Sequence, residues 1–414
     1  MNRRRFLQSS GLAPALAAAA PGGTTSYRNS KAEGVKPEYE NPVFGLEKFS
    51  KTPIKVKSIE LLRVGKNYFV RATSTDGVVG IARTKTPIEE YVSVLLKVAA
   101  PFFIGKDIRD LETLIDEIYL KNYKMAGQPF WAPVAYVEQA LFDLFGKTVH
   151  KPLYDLMGGA VRKEIPVYLS GGIRETTAEE EVEVYRHGLA KTGAKAIKFK
   201  IAGRMSHNID AMPNRTEKMV RLARKTYGPQ VTIYVDANGC YTAPKAIEVG
   251  KFLEDMKCGF FEEPCPWEEF TETKRVADAL RIPIAFGECD TSLWMFQWLI
   301  ENRAIDVVQP DINYNGGFIR AARVARMARE AGMTIVPHNT QTGAAAVNIL
   351  HFAAATPNIG PYMEFPFRGK EETESWFTPQ FPIKNGMIGI PSGDGLGVEI
   401  DPAYLAKAKK VEMP

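Results

Sequence analysis

Seven short apolar runs, each closed by a residue that can ligate, ionise or donate, constrain this chain more than any other feature. They are Ala196-Ile197-Lys198-Phe199-Lys200, Ile233-Tyr234-Val235-Asp236, Phe260-Phe261-Glu262-Glu263-Pro264, Ala285-Phe286-Gly287-Glu288, Val307-Val308-Gln309-Pro310-Asp311, Ile335-Val336-Pro337-His338 and Tyr362-Met363-Glu364. From Asp236 onward the closing residues Asp236, Glu262, Glu288, Asp311, His338 and Glu364 stand 26, 26, 23, 27 and 26 residues apart. A strand, a loop, a helix and a return loop add up to such a repeat, and parallel strands buried on both faces read as unbroken apolar runs. The intervening segments, such as Ala243 to Met256 and Phe318 to Ala331, read as helices, the second stopped by Gly332 as a C-cap. Strand and helix alternation predicts a parallel sheet, and eight such units close into a barrel whose catalytic groups gather at the carboxyl ends of the strands.

The 414 residues exceed one barrel of about 250 residues and leave room for a smaller unit. From Pro53 the alternation of Ile54 to Leu61, then Tyr68 to Ala72, an Asp76-Gly77 turn and Val78 to Ala82 predict an antiparallel meander. Helical stretches at Ile88 to Ala99, Asp110 to Lys121 and Ala132 to Lys147 complete an α+β unit. The expected organisation is residues 1–20 as a leader, 21–52 as a linker or surface wrap, 53–160 as the α+β unit, 161–370 as the barrel, and 371–414 as a segment returning to the α+β unit.

The formal net charge of +5 owes three charges to Arg3, Arg4 and Arg5, so the rest of the chain carries only +2 and no basic footprint for nucleic acid. Those arginines, followed by Phe6, Leu7 and an alanine tract to Ala20, resemble a twin-arginine export signal and imply a periplasmic protein; a basic tail is the plainer alternative. No later run approaches the about 18 apolar residues that would span a membrane. Cys240, Cys258, Cys265 and Cys289 match no zinc spacing, and buried free thiols are expected ahead of a single disulfide.

Asp236, Glu262 and Glu288 end three successive strands and face one point. Clustered anions repel unless a cation joins them, and hard oxygen donors favour Mg²⁺; unrelated surface acids are the bland alternative. Lys198 and Lys200 share one strand face by the two-residue period, and a lysine beside a cation and another lysine is expected to lose its proton more easily. Asp311 and His338 end neighbouring strands, where a carboxylate can fix the imidazole tautomer. Lys200 and His338 then face each other across the mouth, and proton abstraction next to a carboxylate needs the charge of the enediolate neutralised as it forms. Glu364, if protonated, would hydrogen-bond one enediolate oxygen.

With these residues in view the chain resembles the enolase superfamily, in its mandelate racemase subgroup. The resemblance rests on the ladder of eight residues at the strand ends, Lys198, Lys200, Asp236, Glu262, Glu288, Asp311, His338 and Glu364, and on Ala135 to Leu144 and Lys151-Pro152 through Gly158-Gly159, and extends over about residues 53–400. It implies a modified (β/α)7β TIM-type barrel with an N-terminal α+β capping domain. Asp236, Glu262 and Glu288 would be the Mg²⁺ ligands, Lys200 and His338 the bases, Asp311 the partner of His338, Glu364 the group attending the enolate and Lys198 the contact to the substrate carboxylate. Enolase-superfamily sites pair a Lys or His base with Mg²⁺. Capping loops near Val64 to Tyr68 and Met125 to Gln128 would close over a small-molecule carboxylate, and a homo-oligomer is expected. Asp311 stands where the muconate-lactonising subgroup has a lysine, which argues against a cycloisomerase or dipeptide epimerase. The reading is an acid-sugar dehydratase, with a racemase or epimerase of a 2-hydroxy or 2-amino acid as the alternative and a binding protein on a retired barrel as a third.

Overall fold

The alternating residues after Pro53 form an antiparallel sheet of β1 (Val56–Val64), β2 (Asn67–Ser74) and β3 (Val79–Arg83) in a computed structural model that describes residues 38–84, 88–367, 369 and 374–413. The expected export signal at residues 1–20 and residues 21–37 of the expected linker lie outside the described residues. Phe44 and Leu46, in the remainder of that stretch, are buried, and the Glu112 carboxylate accepts the N–H groups of Val43, Phe44 and Gly45.

One face of the sheet packs on the helix Gln128–Val149, whose residues from Phe130 to Gly146 are all buried. Gly80 allows that approach, because a Cβ there would lie 2.2 Å from the Ala140 carbonyl. Asp143 on this helix accepts the N–H groups of Ile81 at 2.8 Å and Leu396 at 2.9 Å.

The apolar runs are strands: β4 (Glu164–Ser170), β5 (Ala196–Lys200), β6 (Thr232–Asp236), β7 (Phe261–Glu262), β8 (Ile284–Phe286), β9 (Val307–Val308), β10 (Thr334–Ile335) and β11 (Met363–Pro366). All pair in parallel and in consecutive order, and β11 returns to pair with β4. Between β10 and β11 the seam is held by the bonds of Ile335 N–H to Asn358 O and Gly360 N–H to Ile335 O. Seven helices, from Ala178–Thr192 to Val347–Ala355, lie between the eight strands, which is a (β/α)7β barrel. Local signals set the helix ends: Thr177 and Glu180 form a capping box, and Gly193 closes the same helix with φ +69°.

After the barrel come β12 (Phe377–Thr378), β13 (Met387–Gly389), β14 (Glu399–Ile400) and β15 (Lys409–Lys410). β13 pairs with β4, and β15 pairs antiparallel with β1, bringing the tail onto the N-terminal sheet. Among the described residues no helix is long and apolar enough to cross a membrane, and all four cysteines are free.

Candidate active site

Period-two alternation puts Lys198 and Lys200 on the inner face of β5, Asp236 at the end of β6 and Glu262 at the end of β7. One pleat below Asp236 and Glu262, Tyr234 and Phe260 stack at 3.8 Å, and Tyr168 packs edge-on against both. This aromatic floor keeps water from the groups above it.

The eight ladder residues fall into three bonded groups that meet at the carboxylates Asp236, Glu262 and Glu288. Lys198 Nζ lies 2.7 and 2.8 Å from the two Glu262 oxygens and 2.8 Å from Glu364 Oε1. Lys200 Nζ donates to Asp236 Oδ2. The His338 ring meets Glu288 Oε2 at 3.3 Å through Nε2 and Asp311 Oδ2 at 2.8 Å through Nδ1. Asp311 is held in turn by the N–H groups of Asn313 at 2.7 Å and Tyr314 at 3.3 Å on its other oxygen. With Asp311 ionised, Nδ1 carries the ring proton and Nε2 is turned toward the mouth.

Carboxylates outnumber ammonium groups in this set, and the ionisation follows. Burial alone would favour neutral Lys198 and Lys200, but Glu262 and Glu364 around the first, and Asp236 and Glu288 around the second, hold both above the usual lysine range. The Asp236 carboxylate favours the ammonium of Lys200, and a cation held by Asp236 would compete for that carboxylate, which is where the expected easier deprotonation would arise. Burial and the neighbouring acids Asp236, Glu364 and Glu288 push Glu262 up from the usual carboxylate range. Burial would raise Glu364, but Lys198, followed by His338 and Lys200, holds it below the usual carboxylate range. It also accepts the Asn339 N–H at 3.0 Å, and so stands as an acceptor.

The donor set suits a hard divalent cation. One oxygen each from Asp236, Glu262 and Glu288 falls within 4.8 Å of the others, and no softer atom is needed to complete the trio. A second trio, Glu263, Glu288 and Cys289, is equally close, but burial and the nearby carboxylates push the Cys289 thiol far up, which suits it poorly to a hard ion.

Four polar residues of the site escaped the ladder reading. Asn238 donates its backbone N–H to Asp236 and its side chain to Asp236 and Glu263, each at 3.2 Å, and to Glu288 at 3.4 Å. Arg174 fixes that amide by donating to Asn238 Oδ1 at 2.8 Å. Gln309 donates to Glu262 at 3.0 Å, and Glu263 sits in the left-handed region at φ +39°. Their signal was faint: Asn238 and Gln309 lie two residues from Asp236 and Asp311 in the short stretches just past the strands.

Known proteins share this architecture. Residues 48–158 match the mandelate racemase/muconate lactonizing enzyme N-terminal domain, and residues 180–404 match the enolase C-terminal domain-like family. The chain belongs to the mandelate racemase/muconate lactonizing enzyme family of the enolase superfamily. Within this family it is 31% identical, over 79% of its length and 86% of the relative's, to arabinonate dehydratase of Saccharolobus solfataricus. It is 26% identical to D-galactonate dehydratase of Verminephrobacter eiseniae, over 86% of its length and 95% of the relative's. The crystal structure of a mandelate racemase/muconate lactonizing protein from Paracoccus denitrificans complexed with magnesium superposes with a TM-score of 0.80 at 28% identity, covering 86% of this chain and 99% of that one. The family's barrel and capping domain account for the fold described above.

Proposed function

We propose that this protein is a Mg²⁺-dependent acid-sugar dehydratase, removing water from an aldonate or aldarate. The observation that carries the reading is the placement of Lys200 and His338: one bonds Asp236 and the other approaches Glu288, on opposite flanks of a single carboxylate trio. The dehydratases among its relatives support the same chemistry.

Asp236, Glu262 and Glu288 would hold the cation. When bound, Mg²⁺ supplies positive charge against the negative charge that builds on the substrate carboxylate as the α-proton leaves. Lys198, its ammonium form secured by Glu262 and Glu364, provides a second fixed positive charge for that carboxylate. Lys200 or His338 takes the α-proton, according to the face that carries it. As an imidazolium steadied by Asp311, His338 gives its Nε2 proton to the departing β-hydroxyl, which leaves as water. The resulting enol tautomerises to a 2-keto-3-deoxy acid.

Proton NMR in D₂O with Mg²⁺ and a panel of aldonic and aldaric acids tests this: one or more should yield a 2-keto-3-deoxy acid, and none should react after chelation. Exchange of the α-proton with no loss of water across the whole panel would instead establish a racemase or epimerase, which the same opposed pair also permits.

We also propose export to the periplasm on the strength of Arg3-Arg4-Arg5-Phe6-Leu7. Fractionation of the host cell should recover the protein with the periplasmic contents, and recovery from the cytoplasm alone would contradict it.

A further inference from the structure

Gln139 is a buried glutamine in the middle of the helix Gln128–Val149, far along the chain from every residue of the ladder. Its Nε2 donates to Asn313 Oδ1 at 3.1 Å, and its Oε1, also buried, has no hydrogen-bond partner. A buried amide that makes one bond through its donor and none to another protein group through its acceptor adds little to stability, and an apolar side chain of similar shape would serve the packing comparably. The bond it does make leads to the site. Asn313 donates its backbone N–H to Asp311 Oδ1 at 2.7 Å, and Asp311 Oδ2 meets His338 Nδ1 at 2.8 Å.

Two more ties run from the same helix to the same side of the barrel mouth. Gln128 Nε2 donates to the carbonyl of Cys289, the residue after Glu288, at 3.2 Å. The Glu138 carboxylate accepts the N–H groups of Phe318 at 2.6 Å and Ile319 at 3.1 Å, at the start of the helix that follows the Asp311 loop. The loop from Asp311 to Gly317 is thus gripped at both ends: by Glu138 at its exit, and by Gln139 two residues past Asp311.

We propose that Gln139 is a positioning residue for proton transfer: through Asn313 it holds the turn that aims Asp311 at His338, so the capping domain sets the geometry of a barrel base. The inference rests on the assignment of Asp311 and His338 to the reaction. Gln139 touches no reacting atom. Its amide sacrifices some stability for a fixed imidazole, and a capping domain that shifts takes the turn at Asn313 with it.

The test uses Gln139→Met, which keeps the length and removes the donor, and Asn313→Ala, which removes the acceptor and leaves the backbone N–H. Both are assayed with Mg²⁺ on arabinonate or D-galactonate, whichever the NMR panel shows to react, alone, together and in an Asp311→Asn background. Each single variant is expected to lower kcat about tenfold with KM little changed, and the pair together no more than either. Neither should add to the loss caused by Asp311→Asn, and Gln139→Met should melt no lower than the parent chain. Because the chain has only five histidines, the His338 ring signal, identified by its loss in His338→Asn, should also move in both variants without any substrate. Unchanged kcat in both variants, or losses that multiply with that of Asp311→Asn, would overturn the proposal while the assignment of Asp311 stands. Wild-type turnover in Asp311→Asn itself would overturn both.

Discussion

Replacing His338 with asparagine is expected to lower turnover about 1000-fold while leaving the protein folded. The imidazole is the one group at the mouth whose two nitrogens are separately engaged, Nδ1 by Asp311 and Nε2 facing Glu288. Asparagine can keep a bond to Asp311 and fill part of the space, but it cannot carry a proton to a departing hydroxyl. The loss should therefore appear in kcat, with substrate affinity largely retained, because Lys198 and the carboxylate trio are untouched. Lys200→Met identifies the base. A loss of turnover of similar size, with α-carbon exchange lost as well, assigns the α-proton to Lys200, in which case His338→Asn should keep exchange while losing elimination. Retained elimination in Lys200→Met assigns the α-proton to His338. Retention of turnover within about tenfold in the His338 variant would be too small an effect for an acid–base group.

The second large effect concerns stability. Gly317→Ala is expected to destabilise the protein by about 3 kcal/mol, from left-handed strain and overpacking together. Gly317 sits at φ +103°, and a Cβ there would lie 1.8 Å from Glu138 Oε2. Glu138 cannot step aside cheaply. It is fully buried, its carboxyl is pushed up to about 8 by burial, and its oxygens hold the Phe318 and Ile319 N–H groups at a helix start. Gly332 supplies the control: its φ is +68°, but nothing lies within 4 Å of an added Cβ. Gly332→Ala should thus show only the conformational cost, about 1 kcal/mol. Denaturant midpoints for the two variants measure the difference, and equal losses would show that the Glu138 contact does not bind the capping helix to the barrel.

The barrel was legible because its chemistry is periodic. Buried parallel strands need continuous apolar runs, and a mouth that faces solvent ends each run in a polar group, so Asp236, Glu262, Glu288, Asp311, His338 and Glu364 announce both the strands and the site. The repeat survives even where β7, β9 and β10 shrink to two residues each, since the runs extend beyond the paired stretch. The partners of the two lysines were not legible. The pattern placed Lys198 and Lys200 side by side near an expected cation, and the fold adds what they bond, Lys198 between Glu262 and Glu364 and Lys200 on Asp236. Which neighbour dominates is set by side-chain direction across the barrel, which spacing does not encode. The same holds for Gln139 and Asn313, 174 residues apart in the chain. The Gln139 position reads as one more buried turn of a helix until the barrel is packed against it.

The central claim is that this mouth removes a proton next to a carboxylate with the help of a divalent cation held by Asp236, Glu262 and Glu288. Its most direct test is the fate of an α-deuterium. An acid sugar that reacts in the panel, labelled with deuterium at the α-carbon, is incubated in H₂O with the protein, with and without Mg²⁺. Deuterium should pass to the solvent with Mg²⁺ present, and remain on carbon with chelator or in Glu262→Gln. Elimination that leaves the α-deuterium in place, or loss of the label that is indifferent to both Mg²⁺ and Glu262, would contradict the account.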